Sequence, residues 1–243
     1  FVENNIDIDF PCPKDGNLYR YSAKEKSHYY AENIKIKDSK ICFDVNFLNI
    51  ITGIVSEKKI NLDMLLPGIH NVSNAIAALA VGTYLGLSIK KMAKKLSTFE
   101  GVERRFDRHI ETKKLVYIDD YAHHPSELKE IINTVKQLYP ERKITAFFQP
   151  HLFSRTKHFA EDFADSLSGI DDLFLLDIYP AREEPIVGIN SNMLLEICKN
   201  KNRDLCSKED VLNIVSKRKM DILLTLGAGD ISSLVNPIKE VLN

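Results

Sequence analysis

The side chains best suited to chemistry lie in four short runs, each directly after a segment that reads as a β-strand. Asp119-Asp120-Tyr121-Ala122-His123-His124 places two carboxylates, a phenol and two imidazoles within six residues. Gln149-Pro150-His151 is followed one helical turn later by Arg155. Asp177-Ile178-Tyr179-Pro180-Ala181-Arg182-Glu183-Glu184 mixes acids with an arginine, and Gly227-Ala228-Gly229-Asp230 is a glycine turn opening a helix. Carboxylates and imidazoles can exchange protons near neutral pH or ligate divalent ions. Arg155 stands in the first turn of its helix, from where a guanidinium can hold a carboxylate or phosphate through two parallel hydrogen bonds. The glycine turn can present backbone N–H groups to an anion, or be a plain tight turn. The histidines also admit two readings. In one, Asp119, Asp120, His123 and His124 ligate the metal of a hydrolase. In the other, His124 caps the helix that Pro125 opens, while Asp120 and His123 hydrogen-bond a ligand. No further His/Asp pair falls at recognisable ligand spacing, so no residue is assigned to a metal.

The elements that must carry these groups follow from hydrophobic pattern and breakers. From residue 105 onward, apolar strands at Leu115–Ile118, Lys143–Phe148, Leu173–Leu176, Asp204–Cys206 and Ile222–Leu226 alternate with helices. The helices run from Pro125, from Ser154 to Leu167, from Ser191 to Cys198, from Ser207 (with Asp210 completing a capping box), and over Asp230–Leu242, where Pro237 bends or interrupts the last one. Such alternation implies an α/β fold whose mostly parallel, Rossmann-like sheet is covered on both faces. Ligands of open α/β sheets bind beyond the carboxyl ends of the strands, so the four runs share one edge. The loops of the opposite edge, around Tyr139–Arg142 and Lys199–Arg203, are ordinary charged connectors.

Residues 1–102 read as a separate, partial, mixed α/β domain, and residues 103–243 as the parallel one. The first part has β-rich runs at Tyr19–Tyr21, Ile34–Ile36, Ile41–Val45 and Ile50–Val55. An Ala-rich helix then runs from Pro67-Gly68 to near Gly86, and a basic helix runs from Ser88, its cap, to Thr98. Lys90, Lys91, Lys94 and Lys95 read as a solvated face. His70, Asn71 and Asn74 open the Ala-rich helix, where they either cap it or read the edge of a base.

The 243 residues carry 33 Lys+Arg against 34 Asp+Glu, a formal net charge of −1, which argues against a basic nucleic-acid binder. No apolar run reaches the ~18 residues of a membrane span. The scattered Cys12, Cys42, Cys198 and Cys206 suit reduced cysteines of a cytoplasmic protein, not a disulfide staple or zinc ribbon. The chain begins at Phe1 and its first forty residues, with Pro11, Pro13 and Gly16, are irregular, which reads as a cut inside a longer polypeptide.

Six motifs in order make the chain resemble the Mur ligases: Pro67-Gly-Ile-His-Asn-Val-Ser-Asn-Ala, Gly101-Val-Glu-Arg-Arg-Phe-Asp107, Asp119-Asp-Tyr-Ala-His-His-Pro125, Phe148-Gln-Pro-His-Leu-Phe-Ser-Arg-Thr156, Asp177-Ile-Tyr-Pro-Ala-Arg-Glu-Glu-Pro185 and Leu226-Gly-Ala-Gly-Asp230. Within that family it looks most like the branch that joins L-alanine to UDP-N-acetylmuramate in peptidoglycan synthesis. The resemblance implies a cytoplasmic three-domain enzyme. Its ATP phosphorylates the muramate carboxylate, with Mg²⁺, and the alanine amine displaces phosphate from the acyl phosphate. It implies small-molecule partners, with neither nucleic acid nor membrane. By the same resemblance, residues 1–102 match the C-terminal part of the central ATP-binding domain, and 103–243 the C-terminal ligase domain. His70, Asn71 and Asn74 match the helix at adenine; Arg105 and Asp120 match positions at phosphates and ribose. Tyr121, His123 and Arg155 match positions around the amino acid and acyl centre, the last two as catalytic. Asp177, Arg182, Gly227, Gly229 and Asp230 are assigned to substrate binding only. The chain contains no G-x-x-x-x-G-K-[ST] loop, so it is expected to be a fragment, inactive alone, whose UDP-binding domain and main Mg²⁺ ligands lie elsewhere in the polypeptide. Leu152 stands where many relatives carry a second arginine. The related ligase that attaches a recycled tripeptide is the nearest rival, with Arg105-Phe106-Asp107 and Asp120-Tyr121 favouring the alanine branch.

Overall fold

The computed structural model describes residues 1–6, 18–37, 39–48 and 57–242. By its contacts the chain divides into two compact units, Phe1–Glu100 and Gly101–Asn243.

In the first unit five strands form one sheet in sequence order: β1 (Val2–Glu3), β2 (Arg20–Ser22), β3 (Tyr29–Lys37), β4 (Lys40–Leu48) and β5 (Glu57–Met64). The pairs β1/β2 and β2/β3 are parallel, and β3–β4–β5 is an antiparallel meander. Helix α1 (Ile69–Tyr84) buries Val72, Ala75, Ile76, Leu79 and Ala80, the i, i+3, i+4, i+7, i+8 stripe of an amphipathic helix. This stripe packs with Phe43, Val45 and Leu62 of the sheet. Helix α2 (Ile89–Leu96) turns Ile89, Met92 and Leu96 toward the same core, leaving Lys90, Lys91, Lys94 and Lys95 exposed. Two expectations change here. Ser88 occupies the N-cap position of α2 but its side chain makes no capping bond. β5 was not anticipated, although Ile60, Leu62 and Met64 alternate with polar residues; the expected run Ile50–Val55 lies outside the described residues.

The second unit is built on β6 (Asp107–Glu111), β7 (Val116–Asp120), β8 (Ile144–Phe148), β9 (Asp172–Leu175), β10 (Asn202–Leu205) and β11 (Ile222–Leu226). Their order is β10-β9-β8-β11-β7-β6, parallel throughout except for β6, which runs antiparallel to β7 at the edge. Alternate side chains serve two cores, as the period of two requires. Ile144, Ala146, Phe148, Ile222, Leu224 and Leu226 face α3 (Pro125–Leu138), α5 (Ala160–Leu167) and α6 (Ser191–Ile197). Phe147 and Leu223 face α7 (Lys208–Lys217) and α8 (Val235–Leu242). Because β11 comes last in sequence but inserts between β8 and β7, it aligns the ends of all three strands. That alignment assembles the site.

Two helical segments differ from expectation. The stretch from Ser154 to Leu167 is two helices, α4 (Phe153–His158) and α5, separated at Phe159. The C-terminal segment begins as a 3₁₀ turn, Asp230–Leu234, before α8, so Pro237 lies in the first turn of α8 and interrupts nothing. Ser207 and Asp210 form the reciprocal capping box at α7, as read from sequence. Cys42, Cys198 and Cys206 are free thiols, and burial pushes the last two up to about 11 and about 12. Cys12 lies outside the described residues. Among the described residues no helix is long and apolar enough to cross a membrane.

Candidate active site at the carboxyl edge of the parallel sheet

Successive side chains of a strand point to opposite faces, so Asp119 and Asp120 at the end of β7 part company. Asp119 turns to the face of Tyr117 and is fully buried. Its Oδ1 accepts from the Thr225 hydroxyl at 2.6 Å and its Oδ2 from Arg104 Nε at 3.2 Å. The Tyr117 hydroxyl lies 3.2 Å from the same threonine. Asp120 turns the other way, where its two oxygens accept the backbone N–H of Phe106 at 2.7 Å and of Ala122 at 2.8 Å. Burial is the dominant influence on Asp120 and, with the Asp119 charge, raises its carboxyl to about 6 despite the two N–H donors and the Arg105 charge. Arg105 is exposed.

A carboxyl whose folded pKa lies above its unfolded value of about 3.9 binds its proton more tightly in the native state. Stability from this group is therefore full below pH 4 and is lost as pH rises through 6. The loss should reach ~3 kcal/mol at most by pH 7.5. Urea unfolding of the chain at several pH values, compared with Asp120→Asn, isolates it: the variant should show a flatter profile between pH 4 and 7. Identical profiles would refute the assignment.

His123 and His124 take different roles. His124 is the N-cap of α3: its Nδ1 accepts from the Ser126 amide at 3.4 Å, while Glu127 Oε2 accepts from the backbone N–H of His123 at 3.0 Å and of His124 at 3.1 Å. An asparagine cap does the same work at least as well, whereas alanine does not. Thermal melts should accordingly rank His124→Asn equal to the parent and His124→Ala about 1 kcal/mol below it; equal losses in both would argue against capping. His123 Nδ1 is 2.9 Å from the Tyr121 carbonyl, which can only accept, so that nitrogen carries the proton and Nε2 keeps a lone pair in the neutral ring. The Tyr121 ring meets His123 edge-on at 5.1 Å.

The loop after β8 continues the ladder by one bridge between His151 and Tyr179, whose rings stack at 5.7 Å. His151 Nδ1 lies 3.4 Å from Arg155 Nη1, and its ring is 5.9 Å from that of His123. Burial first, then the Arg155 and His123 charges, lowers the His151 imidazole. Among the described residues no carboxylate pairs with the half-buried Arg155. Its helix is fixed by Glu183, which accepts from the Ser154 amide at 2.9 Å and from the Ser154 hydroxyl; these bonds hold Glu183 below the usual carboxylate range. Leu152 begins the helix in the left-handed region, φ 71°, with its N–H donating to the Tyr179 carbonyl at 3.0 Å.

The glycine turn has a packing role. A Cβ on Gly227 would lie 2.5 Å from the Gln149 carbonyl oxygen, and one on Gly229 would meet Gln149 Oε1 at 2.3 Å and Tyr179 Cβ at 2.7 Å. Two N–H groups there are already spent, Gly227 on the Asp120 carbonyl and Ile231 on Gln149 Oε1. Asp230 is engaged by Lys208 Nζ at 2.5 Å and Gln149 Nε2 at 2.8 Å; burial alone would raise it, but these donors hold it below the ordinary value. Its carboxylate is committed to the fold, which weighs against a direct substrate contact. Asp177 and Arg182 are exposed on the loop after β9.

The second unit thus brings together Asp120, Tyr121, His123, Arg155 and the Gly227–Asp230 turn. His70, Asn71 and Asn74 lie in the first unit at the start of α1: Asn71 Nδ2 donates to the Pro67 carbonyl at 2.7 Å, while His70 and Asn74 are exposed. The sequence motifs contain Arg104, Gln149 and His151 without giving them a role, and nothing in the sequence singles out Thr225 or Tyr117. Among the described residues no three His, Cys, Asp or Glu side chains form a group able to hold a metal ion. Asp119, Asp120 and His124 are each occupied by protein partners.

A family model described as the Mur ligase, glutamate ligase domain matches residues 104–229. The UDP-N-acetylmuramate–L-alanine ligase of Parabacteroides distasonis is 45% identical over 242 residues, which is 99% of this chain and 51% of that protein. The enzyme of the same name from Flavobacterium psychrophilum is 46% identical over 221 residues, 91% of this chain and 48% of that protein. The crystal structure of UDP-N-acetylmuramate-alanine ligase from Thermotoga maritima superposes with a TM-score of 0.73 at 25% identity, covering 91% of this chain and 47% of that one. The chain spans about half the length of the curated relatives it matches.

Proposed function

The chain belongs to the Mur ligase family, and from that premise we propose that it is part of a cytoplasmic ATP-dependent ligase joining L-alanine to the carboxylate of UDP-N-acetylmuramate. The relatives of that name support the substrate pair. The observation that carries the reading is the state of Arg155: a half-buried guanidinium at a strand-end site, with His151 beside it and no carboxylate of its own among the described residues. A free amino acid brings the missing carboxylate.

In this reading ATP supplies the phosphoryl group that turns the muramate carboxylate into an acyl phosphate, and the alanine amine forms the amide as phosphate leaves. The residues of this chain bind and orient. Arg155 holds the alanine carboxylate, and His123 offers Nε2 to a hydrogen of the amine. Asp120 can accept ribose hydroxyls through the lone pairs its two N–H bonds leave over, with Arg105 as an exposed cation for phosphates. His70, Asn71 and Asn74 would meet adenine, Asn71 through its remaining Oδ1. Asp177, Arg182 and the Gly227–Asp230 turn would border the substrates. Residues 1–102 would be the C-terminal part of the central ATP-binding domain and 103–243 the ligase domain. Mg²⁺ does not fit the described side chains on their own, because no three ligating groups converge, and no step is assigned to it.

The full-length gene product tests the reading. ADP release is followed with ATP, Mg²⁺ and UDP-N-acetylmuramate, adding either L-alanine or the recycled tripeptide. Turnover with alanine and little with the tripeptide supports the proposal. Turnover only with the tripeptide keeps the chemistry and moves the protein to cell-wall recycling, and turnover with neither refutes the assignment.

A further inference from the structure

We infer that Arg104, the inward-facing partner of the exposed Arg105, is a positioning residue that sets the Tyr121 ring at the amino-acid end of the site. The role in substrate use rests on the ligase reading above. Arg104 sits in the left-handed region at φ 62°, where a non-glycine residue needs to be held. Its N–H donates to Asp107 Oδ2 at 3.2 Å, and its carbonyl accepts the Tyr121 N–H at 2.7 Å. The strained backbone aims the side chain inward. There Nε meets Asp119 Oδ2 at 3.2 Å, Nη2 donates to the Gly227 carbonyl at 2.6 Å, and the guanidinium carbon lies 5.0 Å from the centre of the Tyr121 ring.

One side chain therefore ties the end of β7 to the turn after β11 and presents a cationic face to the phenol. Tyr121 is 37% exposed, and its other neighbour is the edge of His123. An aromatic ring so exposed has few apolar contacts to choose its rotamer; the guanidinium face and His123 supply the restraint. Only a planar fork can serve a carboxylate, a carbonyl and a ring together. A lysine, a point charge on a flexible stem, keeps the Asp119 pair and loses the rest.

The test uses two readouts. In the full-length enzyme, R104K should raise KM for L-alanine about tenfold while KM for ATP stays within twofold; a purely structural loss would reduce the active fraction and leave KM in place. The second readout is independent of turnover. This chain contains no tryptophan, so Y121W gives a single reporter, and adding R104K should at least double its quenching by acrylamide. If R104K alone lowers the thermal midpoint, R104Q combined with D119N removes both halves of the charge pair and is measured in its place. Unchanged quenching overturns the inference whether or not alanine is the substrate. Raised quenching with an unchanged KM for alanine overturns the role in substrate positioning. If wild-type enzyme does not use alanine, the ligase reading fails and the quenching alone decides the placement of Tyr121.

Discussion

Arg155→Ala in the full-length enzyme should lower kcat/KM for L-alanine by about 10²- to 10³-fold, or roughly 3–4 kcal/mol, the size expected when one member of a desolvated, hydrogen-bonded charge pair is removed. The loss should appear chiefly in KM for alanine and leave KM for ATP nearly unchanged. The reason is local. Helix α4 is pinned at its start by Glu183 on Ser154, so the guanidinium is presented from a fixed platform. Among the described residues its hydrogen-bonding side-chain neighbour is His151, whose imidazole burial and the Arg155 charge itself hold toward the neutral form. Leu152 contributes no second cation to share the role of Arg155. Arg155→Lys should recover only part of the loss, because an ammonium cannot reproduce the two-bond fork. A fall of less than threefold in Arg155→Ala would remove Arg155 from the carboxylate site and with it the observation on which the function rests.

The parallel sheet of the second unit was legible because its central strands are uninterrupted apolar runs, and the strand ends were legible because their chemistry is dense there. The cap at His124 could be read from Pro125 and the acid three residues after the histidine. The edge strand Asp107–Glu111 could not. It pairs on one side only, and its Asp-Arg-His-Ile-Glu sequence has no apolar alternation to reveal it. The choice between Arg104 and Arg105 was equally hidden, since adjacent arginines have the same chemistry. Two left-handed residues on either side of Arg105, Arg104 at φ 62° and Phe106 at φ 48°, decide which arginine turns inward. The break at Phe159 carries no glycine or proline to announce it. The committed state of Asp230 depends on Lys208, a partner twenty-two positions earlier that only the fold brings to it.

Gly227→Ala should destabilise the second unit by about 3 kcal/mol or more, and the reason separates into two parts that a control can distinguish. The first is conformational. Gly227 has φ 136°, and forcing an L-residue into such a region costs on the order of 1–3 kcal/mol. The second is steric: the new Cβ would stand 2.5 Å from the Gln149 carbonyl oxygen, a backbone atom that cannot swing aside, and overpacking of that kind adds roughly 1–3 kcal/mol. Gly188, at φ 80°, shares the first part and not the second, since a Cβ there meets nothing within 4 Å. Gly188→Ala should therefore cost only about 1–2 kcal/mol. In urea, with slopes of about 1–3 kcal/mol per molar, the midpoint of the second unit should fall by about 1–3 M for Gly227→Ala and by clearly less for Gly188→Ala. Equal shifts would mean that the turn is not seated on Gln149. The prediction also bears on chemistry, because Gly227 N–H holds the Asp120 carbonyl and Gly227 C=O receives Arg104. Moving this residue displaces the groups that fix both Asp120 and Tyr121, so any Gly227→Ala enzyme that still folds should lose activity beyond what its stability explains.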